Sequence, residues 1–447
     1  MFMAKIRVGI LFGGRSGEHE VSLLSAASVL KAIDNTKYEV VPIGITKDGR
    51  WLTAESAERL LKGEADAGKA GGQLSAPSSK LQGESAATSL AADLRGSSRT
   101  GLSEKHLRAG DPETTPGAAV LATGESVVVP PEPARRGSGF APFQTEAKLR
   151  GANLEGADLG ETQLRRAADR AINVDVIFPV LHGTFGEDGT IQGLLELADM
   201  AYVGAGVLGS AAGMDKDVMK ALFRNARLPI VKHVTVLRSA WEGSPRKVEK
   251  LVESKVKYPV FVKPANLGSS VGISKAHDRK ELGPAIEEAA KFDRKIVIEE
   301  GVGGKKNKAR EIECAVLGND EPKASVAGEI VPCKEFYDYD AKYLAEGSEL
   351  VIPAKLTKTE MKHVQALAVA AFKAVDCSGL ARVDFLMEPK SRKMYVNEIN
   401  TMPGFTAISM YPKLWGATGV SYPELIDRLI QLGIERHEDK KRNQYSR

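Results

Sequence analysis

The segment that most constrains the fold is the apolar run IRVGILF at residues 6–12, which ends at Gly13 and Gly14. A short β-branched run followed by glycines is typical of a buried strand that enters a turn. Residues 16–21, SGEHEV, predict a capped helix start before SLLSAASVLKAI, and YEVVPIGI predicts a second strand. A strand, a helix and a strand in this order predict a parallel sheet, with a ligand site near the strand ends and the helix N-terminus.

A block of low sequence complexity interrupts this first domain. Between residues 63 and 150, Ala, Gly, Ser, Thr and Pro make up 50 of 88 residues, and no aromatic residue occurs between Trp51 and Phe140. Such a composition offers little apolar surface to offset the entropy that is lost when a chain becomes ordered. We therefore predict a disordered insertion, and the sequence does not indicate what the insertion contacts.

The chain after the insertion changes from an α/β to an α+β pattern. DVIFPVLHG, TIQGLLELADM and AYVGAG predict a strand, a helix and a short strand that complete the first domain. From about residue 213, strand signals such as VFVKP, IVIEE, ARVDFLME and KMYVNEIN follow one another with few helices between them. This arrangement predicts largely antiparallel sheets.

Composition excludes several classes of protein. The length of 447 residues corresponds to about three domains, and 62 basic against 58 acidic residues give a net charge of only +4, unlike a nucleic-acid-binding protein. The three cysteines, Cys314, Cys333 and Cys377, are odd in number and show no CxxC spacing, so we expect free thiols in a reducing compartment. No apolar run has the roughly 18 residues of a membrane span, and we expect a cytoplasmic protein.

The segment VFVKPANLGSSVGISK at residues 260–275 is the strongest local signal for a phosphate site. It predicts a strand, a basic residue at the strand end and a turn that returns to a second strand. Gly268 and Gly272 would allow close approach of the backbone, while Ser269, Ser270 and Lys263 would supply donors and positive charge. Without further context, a flexible hairpin explains the same residues equally well.

Two later strands carry paired polar residues that could bind a metal ion. Arg382 and Asp384 are two residues apart, as are Glu398 and Asn400, so each pair lies on one face of its strand. If the strands are neighbours, three oxygen-bearing side chains converge, which suits Mg²⁺ beside phosphates. The alternative is a ladder of ion pairs on the surface.

Other candidates depend more strongly on context. Glu18 lies at a helix start beside a glycine turn, where its carboxylate could bind an ammonium group or cap the helix. Lys216 could contact phosphate or lie on the solvated face of a helix. The remaining candidates are His182, Glu187 and Asp188, as substrate-binding or structural groups, and Glu299 and Glu300, as adenine- and ribose-binding groups or chance acidic residues at a strand end.

The order of seven motifs resembles that of D-alanine:D-alanine ligases of the ATP-grasp superfamily. These motifs are GGRSGEHEVS, FPVLHGTFGEDGTIQGLLEL, GMDK, VKPANLGSSVG, FYDYDAKYL, ARVDF and NEINTMPGFT. The resemblance implies an α/β N-terminal domain with a parallel sheet, followed by α+β ATP-grasp central and C-terminal domains. The implied division is 1–62 with 172–212 for the N-terminal domain, 63–171 for the insertion, 213–302 for the central domain, 303–437 for the C-terminal domain with a mobile loop, and 438–447 for a charged tail.

The resemblance also implies an ATP site between the central and C-terminal domains. It assigns the phosphates to Lys216, Lys263, Lys342, Ser269 and Ser270, the adenine pocket to Glu299, Glu300 and Val302, the ribose to Glu311, and two Mg²⁺ or Mn²⁺ ions to Asp384, Glu398 and Asn400. The extra basic residues in GGKKNKAREIE depart from the family pattern just before the ribose position.

For the amino-acid substrates, the resemblance implies a site built from several segments. Glu18 would bind the ammonium group of the first D-alanine, connected to Ser269 and Tyr343. The other implied contacts are His182 near that substrate, Arg382 and the Gly404 amide on the tetrahedral intermediate, and Ser409 on the carboxylate of the second D-alanine. The implied reaction is ATP-dependent joining of two D-alanines through an acyl phosphate for peptidoglycan precursors, in a homodimer that binds neither nucleic acid nor membrane.

Two alternatives differ from this expectation. A D-alanine:D-lactate ligase would use another second nucleophile, but Tyr343 in FYDYDAKYL matches the members that form a dipeptide. A non-catalytic nucleotide-binding scaffold would be expected to lose its metal ligands first, whereas Asp384, Glu398 and Asn400 are all present. Both alternatives are therefore disfavoured.

Overall fold

The structure is a computed structural model that describes residues 4–63, 172–303, 308–331 and 349–445, and in addition the strands at 125–128 and 139–144. The strands, numbered in chain order, are β1 Ile6–Gly13, β2 Tyr38–Ile45, β3 Trp51–Thr53, β4 Glu125–Val128, β5 Gly139–Gln144, β6 Ile172–Asn173, β7 Val176–Pro179, β8 Ala201–Tyr202, β9 His233–Leu237, β10 Val260–Pro264, β11 Ser274–Ala276, β12 Lys295–Glu300, β13 Arg310–Gly318, β14 Lys323–Val331, β15 Glu349–Val351, β16 Gly379–Met387 and β17 Met394–Asn400. The helices are His19–Ala32, Ala54–Leu61, Thr190–Leu197, Val207–Met214, Lys216–Asn225, Arg238–Gly243, Pro245–Lys255, Arg279–Ala290, Lys358–Ala374, Met410–Thr418 and Tyr422–Lys440.

The first sheet has the strand order β3-β2-β1-β7-β8, and the predicted strand–helix–strand unit forms its centre. β1 pairs in parallel with β2 and with β7, and β8 continues the parallel arrangement, whereas β3 is antiparallel at the edge. The carboxyl ends of β1 and β7 therefore lie side by side. They are tied by Ser22, whose hydroxyl accepts from the Gly13 amide at 2.8 Å and donates to the Val180 carbonyl.

Two antiparallel sheets follow, as the α+β pattern predicted. The second sheet has the order β11-β10-β12-β9, and the third has the order β15-β14-β13-β16-β17. The loop 265–273, called here the serine loop, closes the β10–β11 hairpin. In the third sheet the two strands with paired polar residues, β16 and β17, are direct neighbours.

The predicted insertion contributes some regular backbone to the described part of the chain. β4 pairs with β5 and β5 pairs with β6, both antiparallel. β4 and β5 are thus described as strands within the segment for which the composition predicted disorder. The remainder of that prediction, at 64–124, 129–138 and 145–171, lies outside the described residues.

One apolar core connects the first sheet with the third sheet and the C-terminal helix. It includes Phe12 from β1, Phe178 from β7 and Leu429 from the helix Tyr422–Lys440, all almost completely buried. Phe405 lies at its centre, with its ring centroid 5.7 Å from that of Phe178 and from that of Tyr411. The loop after β17 is thus packed against the end of the first sheet.

Among the described residues, no helix is both long and apolar enough to cross a membrane.

Replacement of Gly13 by alanine tests the close turn at the end of β1. Gly13 has a φ of +90°, and a Cβ there would overlap the carbonyl oxygen of Ile45. We expect Gly13→Ala to lower the free energy of unfolding by about 2–4 kcal/mol, because the residue combines a left-handed backbone with a backbone clash. Urea unfolding followed by circular dichroism measures this loss.

Gly17→Ala is the matched control for this substitution. No atom lies within 4 Å of a Cβ at Gly17, and its φ is not in the left-handed region. We expect its unfolding free energy to change by less than about 1 kcal/mol. Equal unfolding midpoints for the two variants would contradict the role given to Gly13.

Candidate active site

The start of the helix His19–Ala32 contacts the serine loop. The Ser269 hydroxyl donates a hydrogen bond to the Glu18 carboxylate, which is almost buried. The prediction of a side-chain cap at this helix start is wrong, because Glu18 occupies the N-cap position without a capping bond from its side chain. Instead, the Ser16 hydroxyl accepts from the Glu18 amide at 3.2 Å and donates to the His182 carbonyl at 2.5 Å. The carboxylate is therefore directed between the first sheet and the serine loop, an environment suited to an ammonium group.

His182, at the carboxyl end of β7, is buried and has a partner at each ring nitrogen. Its Nδ1 lies 3.1 Å from the Met402 carbonyl and 3.8 Å from Glu187, and its Nε2 lies 3.1 Å from the Ser25 hydroxyl. Burial acts to lower the pKa of His182, but Glu187, together with Glu18 and the Met402 carbonyl, raises it overall. These contacts are those expected of a structural histidine that adjoins the site. Its contact with substrate stays a prediction.

Asp188, predicted with His182 and Glu187, has a local structural role. Its two carboxylate oxygens accept hydrogen bonds from the backbone amides of Phe185 at 2.9 Å and Thr190 at 3.0 Å. Both oxygens are thus used to shape the turn before the helix Thr190–Leu197. Of the three residues, Asp188 is the one whose described contacts all lie within its own turn.

The serine loop has a strained backbone at the residues that the phosphate hypothesis selects. Ser269 and Ser270 have φ values of 51° and 59°, and Gly272 has a φ of 69°. Left-handed conformations at serine cost free energy and are found preferentially at ligand sites, where successive amide groups form an anion-binding concavity. The loop is held by Lys216, whose ammonium donates to the Leu267 carbonyl at 2.7 Å. These contacts favour the phosphate clamp over a flexible hairpin.

Two buried lysines contact the buried carboxylate of Glu299, and a third, Lys216, lies near Glu398. Lys263 donates to one carboxylate oxygen of Glu299 at 2.8 Å, and Lys220 lies 2.9 Å from the other oxygen. Lys216 is 4.0 Å from Glu398. The alternative of a solvated position for Lys216 is wrong, because it is only 7% exposed. Asp215 caps the helix Lys216–Asn225 by accepting from the amides of residues 217 and 218, which fixes the helix start that carries this lysine.

The charges in this cluster shift one another's protonation equilibria. Burial acts to raise the pKa of Glu299, but Lys220 and Lys263 outweigh it and hold that pKa well below its usual range. Burial, together with the neighbouring ammonium of Lys263, lowers the pKa of Lys216 despite the attraction of Glu398. Burial likewise acts to lower the pKa of Lys263, but the carboxylates of Glu299, Glu398 and Glu311 together raise it overall. Glu299 is therefore paired with Lys220 and Lys263 inside the protein.

β16 and β17 bring the predicted metal ligands together. Asp384 lies directly opposite Glu398, and Arg382 lies directly opposite Asn400. Directly opposed residues have Cβ atoms about 5 Å apart, so the two carboxylates and the amide oxygen form one patch of hard oxygen donors. With Lys216 at 4.0 Å from Glu398, this patch adjoins the phosphate lysines, and the residues fit a divalent cation that also binds phosphate oxygens.

Arg382 is held between two carboxylates. Its guanidinium donates to both oxygens of Asp384 at 2.7 Å and lies 3.1 Å from Glu313. The side chains of Arg382 and Asp384 are only 18% and 15% exposed, which argues against a surface ion-pair ladder. An arginine fixed in this way presents a stationary positive charge to its surroundings.

The loop after β17 places Gly404 against Ser409. A Cβ at Gly404 would lie 2.8 Å from the Ser409 hydroxyl, and this hydroxyl accepts from the Thr406 amide at 3.0 Å. Asn400, at the start of the loop, accepts from the Met402 amide at 3.0 Å. Gly404 and Ser409 are thus neighbours, and their predicted contacts with the tetrahedral intermediate and the second D-alanine stay predictions.

The remaining predicted residues lie on or near β12 and β13 or outside the residues that the structure describes. Glu300 accepts from the Lys257 amide at 3.1 Å, and Val302 follows β12. Glu311, on β13, is close enough to Lys263 to raise the pKa of that lysine. The buried Glu299 carboxylate contacts lysines, and its predicted place beside adenine stays a prediction. Lys342 and Tyr343 lie outside the described residues.

Two buried residues of the site were missed from the sequence, although each carries a signal. Lys220 is four residues after Lys216, on the same face of the helix. Glu313 is two residues after Glu311, on the same face of β13, and lies opposite Asp384. In both cases the spacing indicates which face of the helix or strand carries the residue. The residue that it contacts comes from another part of the chain.

Comparisons with known proteins show the family of the chain. Residues 7–205 match the family model for the D-Ala D-Ala ligase N-terminus, and residues 222–431 match that for the D-Ala D-Ala ligase C-terminus. A D-alanine–D-alanine ligase of Chloroherpeton thalassium is 44% identical, with 98% of this chain and 99% of the relative covered. A ligase of the same name from Heliobacterium modesticaldum is 43% identical, with 99% and 98% covered.

Solved structures of related ligases share the fold. The D-alanine-D-alanine ligase from Coxiella burnetii has a TM-score of 0.68 and 32% identity, with 98% of this chain and 96% of that chain covered. The VanG D-Ala:D-Ser ligase from Enterococcus faecalis has a TM-score of 0.69 and 31% identity, with 96% and 100% covered. The chain therefore belongs to the D-alanine–D-alanine ligase family.

Proposed function

We propose that this protein joins two molecules of D-alanine in an ATP-dependent reaction that supplies D-alanyl-D-alanine for peptidoglycan precursors. The observation that carries the proposal is the hydrogen bond from Ser269 to Glu18. It brings a carboxylate suited to an amino-acid ammonium group against a loop suited to phosphates. Relatives named D-alanine–D-alanine ligase, at 44% identity over 98% of the chain, support this reaction.

The chemistry follows from the poor reactivity of a carboxylate. Its oxygen is a poor leaving group at neutral pH, so one carboxylate oxygen of the first D-alanine attacks the γ-phosphorus of ATP and ADP leaves. The product is an acyl phosphate. The amine of the second D-alanine attacks its carbonyl carbon, a proton is lost from nitrogen and inorganic phosphate leaves. Both steps place negative charge on oxygen, where Lys216, Lys263, Arg382 and the Gly404 amide can stabilise it.

Asp384, Glu398 and Asn400 would hold Mg²⁺ or Mn²⁺, and two ions are proposed by resemblance to the family. Bound divalent ions neutralise phosphate oxygens and so lower the cost of charge build-up during transfer. Arg382 keeps Asp384 oriented through its two 2.7 Å hydrogen bonds. The carboxylates serve as ligands and do not act as acids or bases.

Further family properties are proposed for this chain on the resemblance alone. For the whole protein, they are the division into three domains, a homodimer and a cytoplasmic location. For single residues, they are contact of Lys342 with phosphate, contact of Tyr343, His182 and Ser409 with the substrates, and the adenine and ribose contacts. The scaffold alternative predicts no turnover, which an assay of phosphate release tests directly.

The direct test uses purified protein, ATP, Mg²⁺ and each of three second substrates. We expect phosphate release and D-alanyl-D-alanine with D-alanine alone, and slower release when D-serine or D-lactate is added at neutral pH. Coupled phosphate detection and mass spectrometry of the product measure both. Faster release with D-lactate or D-serine would reassign the second substrate, and no release at all would support a scaffold.

Replacement of Glu18 by glutamine tests the ammonium site. We expect Glu18→Gln to raise the KM for D-alanine about 10- to 100-fold, because a charged hydrogen bond is worth roughly 1.5–3 kcal/mol. The KM for ATP is expected to stay within about twofold, because the phosphate lysines are unchanged. Steady-state kinetics with each substrate varied separately give these values.

Glu20→Gln is the control for Glu18. Glu20 lies in the first turn of the same helix and pairs with Lys47 on the surface. Exposed pairs contribute little, so both KM values are expected to stay near those of the unmodified protein. If Glu18→Gln left the KM for D-alanine unchanged, Glu18 would not be the ammonium site.

Replacement of Asp384 by asparagine tests the metal site. We expect Asp384→Asn to raise the Mg²⁺ concentration for half-maximal activity at least about tenfold, because one anionic ligand is lost. Glu321→Gln, in an exposed turn between β13 and β14, is the control and should leave the Mg²⁺ dependence unchanged. Identical Mg²⁺ titrations for the two variants would exclude Asp384 as a ligand.

A further inference from the structure

Lys220 is a fully buried lysine to which neither the motifs nor the proposed reaction gives a role. It lies one turn after Lys216 in the helix Lys216–Asn225 and is 0% exposed. Its ammonium is 2.9 Å from a carboxylate oxygen of Glu299 and donates to the Asn397 carbonyl at 3.1 Å. Burial of an ammonium group is costly unless the group is paired, so a well-packed apolar residue would be a simpler occupant of this position.

The charge balance around Glu299 gives Lys220 a specific effect. Glu299 carries one negative charge and is shared between Lys220 and Lys263, so the three residues together carry a net charge of +1. Without Lys220, Glu299 and Lys263 would neutralise each other inside the protein. The ammonium of Lys263 would then offer little net attraction to an anion, since interactions in a poorly hydrated site are only weakly screened.

The second contact of Lys220 connects this charge cluster to the metal-binding strand. Asn397 lies in β17 directly before Glu398, at a β-bulge where the register shifts between the partners of Asp384 and Phe385. The bulged residue has no partner residue opposite it in β16, and its carbonyl accepts from Lys220. One ammonium group thus spans the distance between the strand of Glu299 and the strand of Glu398.

We propose that Lys220 is a positioning residue for the nucleotide phosphates. By pairing with Glu299 it leaves the cluster net positive and fixes the ammonium of Lys263, and through Asn397 it keeps the metal-binding strand in place beside it. The inference rests on the proposed ATP-dependent function, because it assigns Lys220 to the phosphate half of that site. It predicts a defect in ATP use that arises through Glu299.

The test compares Lys220→Met, Glu299→Gln and the double variant, with Lys250→Met as a control. Lys250 is an exposed lysine in the helix Pro245–Lys255, so this substitution removes the same charge from the surface. We expect Lys220→Met to raise the KM for ATP about tenfold, with the KM for D-alanine within about twofold, and Lys250→Met to change neither. Equal KM values for ATP in Lys220→Met and Lys250→Met would overturn the proposal.

The double variant separates positioning from a general packing defect. If Lys220 acts by balancing Glu299, loss of Lys220 should change the KM for ATP by less than about threefold when Glu299 is already glutamine, against about tenfold in the otherwise unmodified protein. A loss of about tenfold in both backgrounds would overturn the proposal. Thermal unfolding shows whether Lys220→Met folds. If it does not, Glu299→Gln is compared with the double variant, and loss of Lys220 should then change the KM for ATP by less than about threefold. A tenfold change between these two variants would overturn the proposal.

Failure of this inference is distinguishable from failure of the proposed function. The unmodified protein and Lys250→Met are assayed with ATP and D-alanine in the same experiment. Turnover by both, with an unaffected KM for ATP in Lys220→Met, would reject the role of Lys220 alone. Absence of turnover in the unmodified protein would reject the ligase function, and Lys220 would lose its proposed role with it.

Discussion

The attachment of the loop after β17 to the first sheet is the constraint on which the active site depends. The Phe405 amide donates to Ser25 at 3.3 Å, and the Met402 carbonyl lies 3.1 Å from His182. The Phe405 ring is buried in the core that connects the first and third sheets. Because Asn400 precedes this attachment and Gly404 lies within it, the strand of the predicted metal ligands and the loop that contains Gly404 are held relative to Glu18 by core packing.

The site combines two charge clusters of opposite sign. In one, the carboxylate of Glu299 is shared by two ammonium groups, and in the other the guanidinium of Arg382 is shared by two carboxylates. The first cluster has an excess of positive charge, which suits the proposed phosphate site, and the second has an excess of negative charge, which suits the proposed cation site. Charges fixed before substrates bind need little reorganisation during the reaction, which is how a preorganised site stabilises developing charge.

Sequence periodicity predicted the strands and helices of this site better than it predicted which side chains contact one another. The first strand–helix–strand unit, the β10–β11 hairpin and the faces of Asp384 and Glu398 follow from local patterns and agree with the structure. Lys220 was missed because a lysine on a helix resembles a solvated residue until a carboxylate from a distant strand is placed against it. The capping prediction at Glu18 failed for the same reason, since the serine loop provides a competing partner.

The bulge at Asn397 changes which residues of β17 face the interior. Met394 and Val396 are buried before it, whereas Ile399 is buried after it, so the inward-facing positions change from even to odd numbers. A regular strand with the same residues would turn Glu398 and Asn400 towards the core. The single extra residue therefore allows one strand to place apolar side chains in the interior at its beginning and charged and polar side chains beside Arg382 and Asp384 at its end.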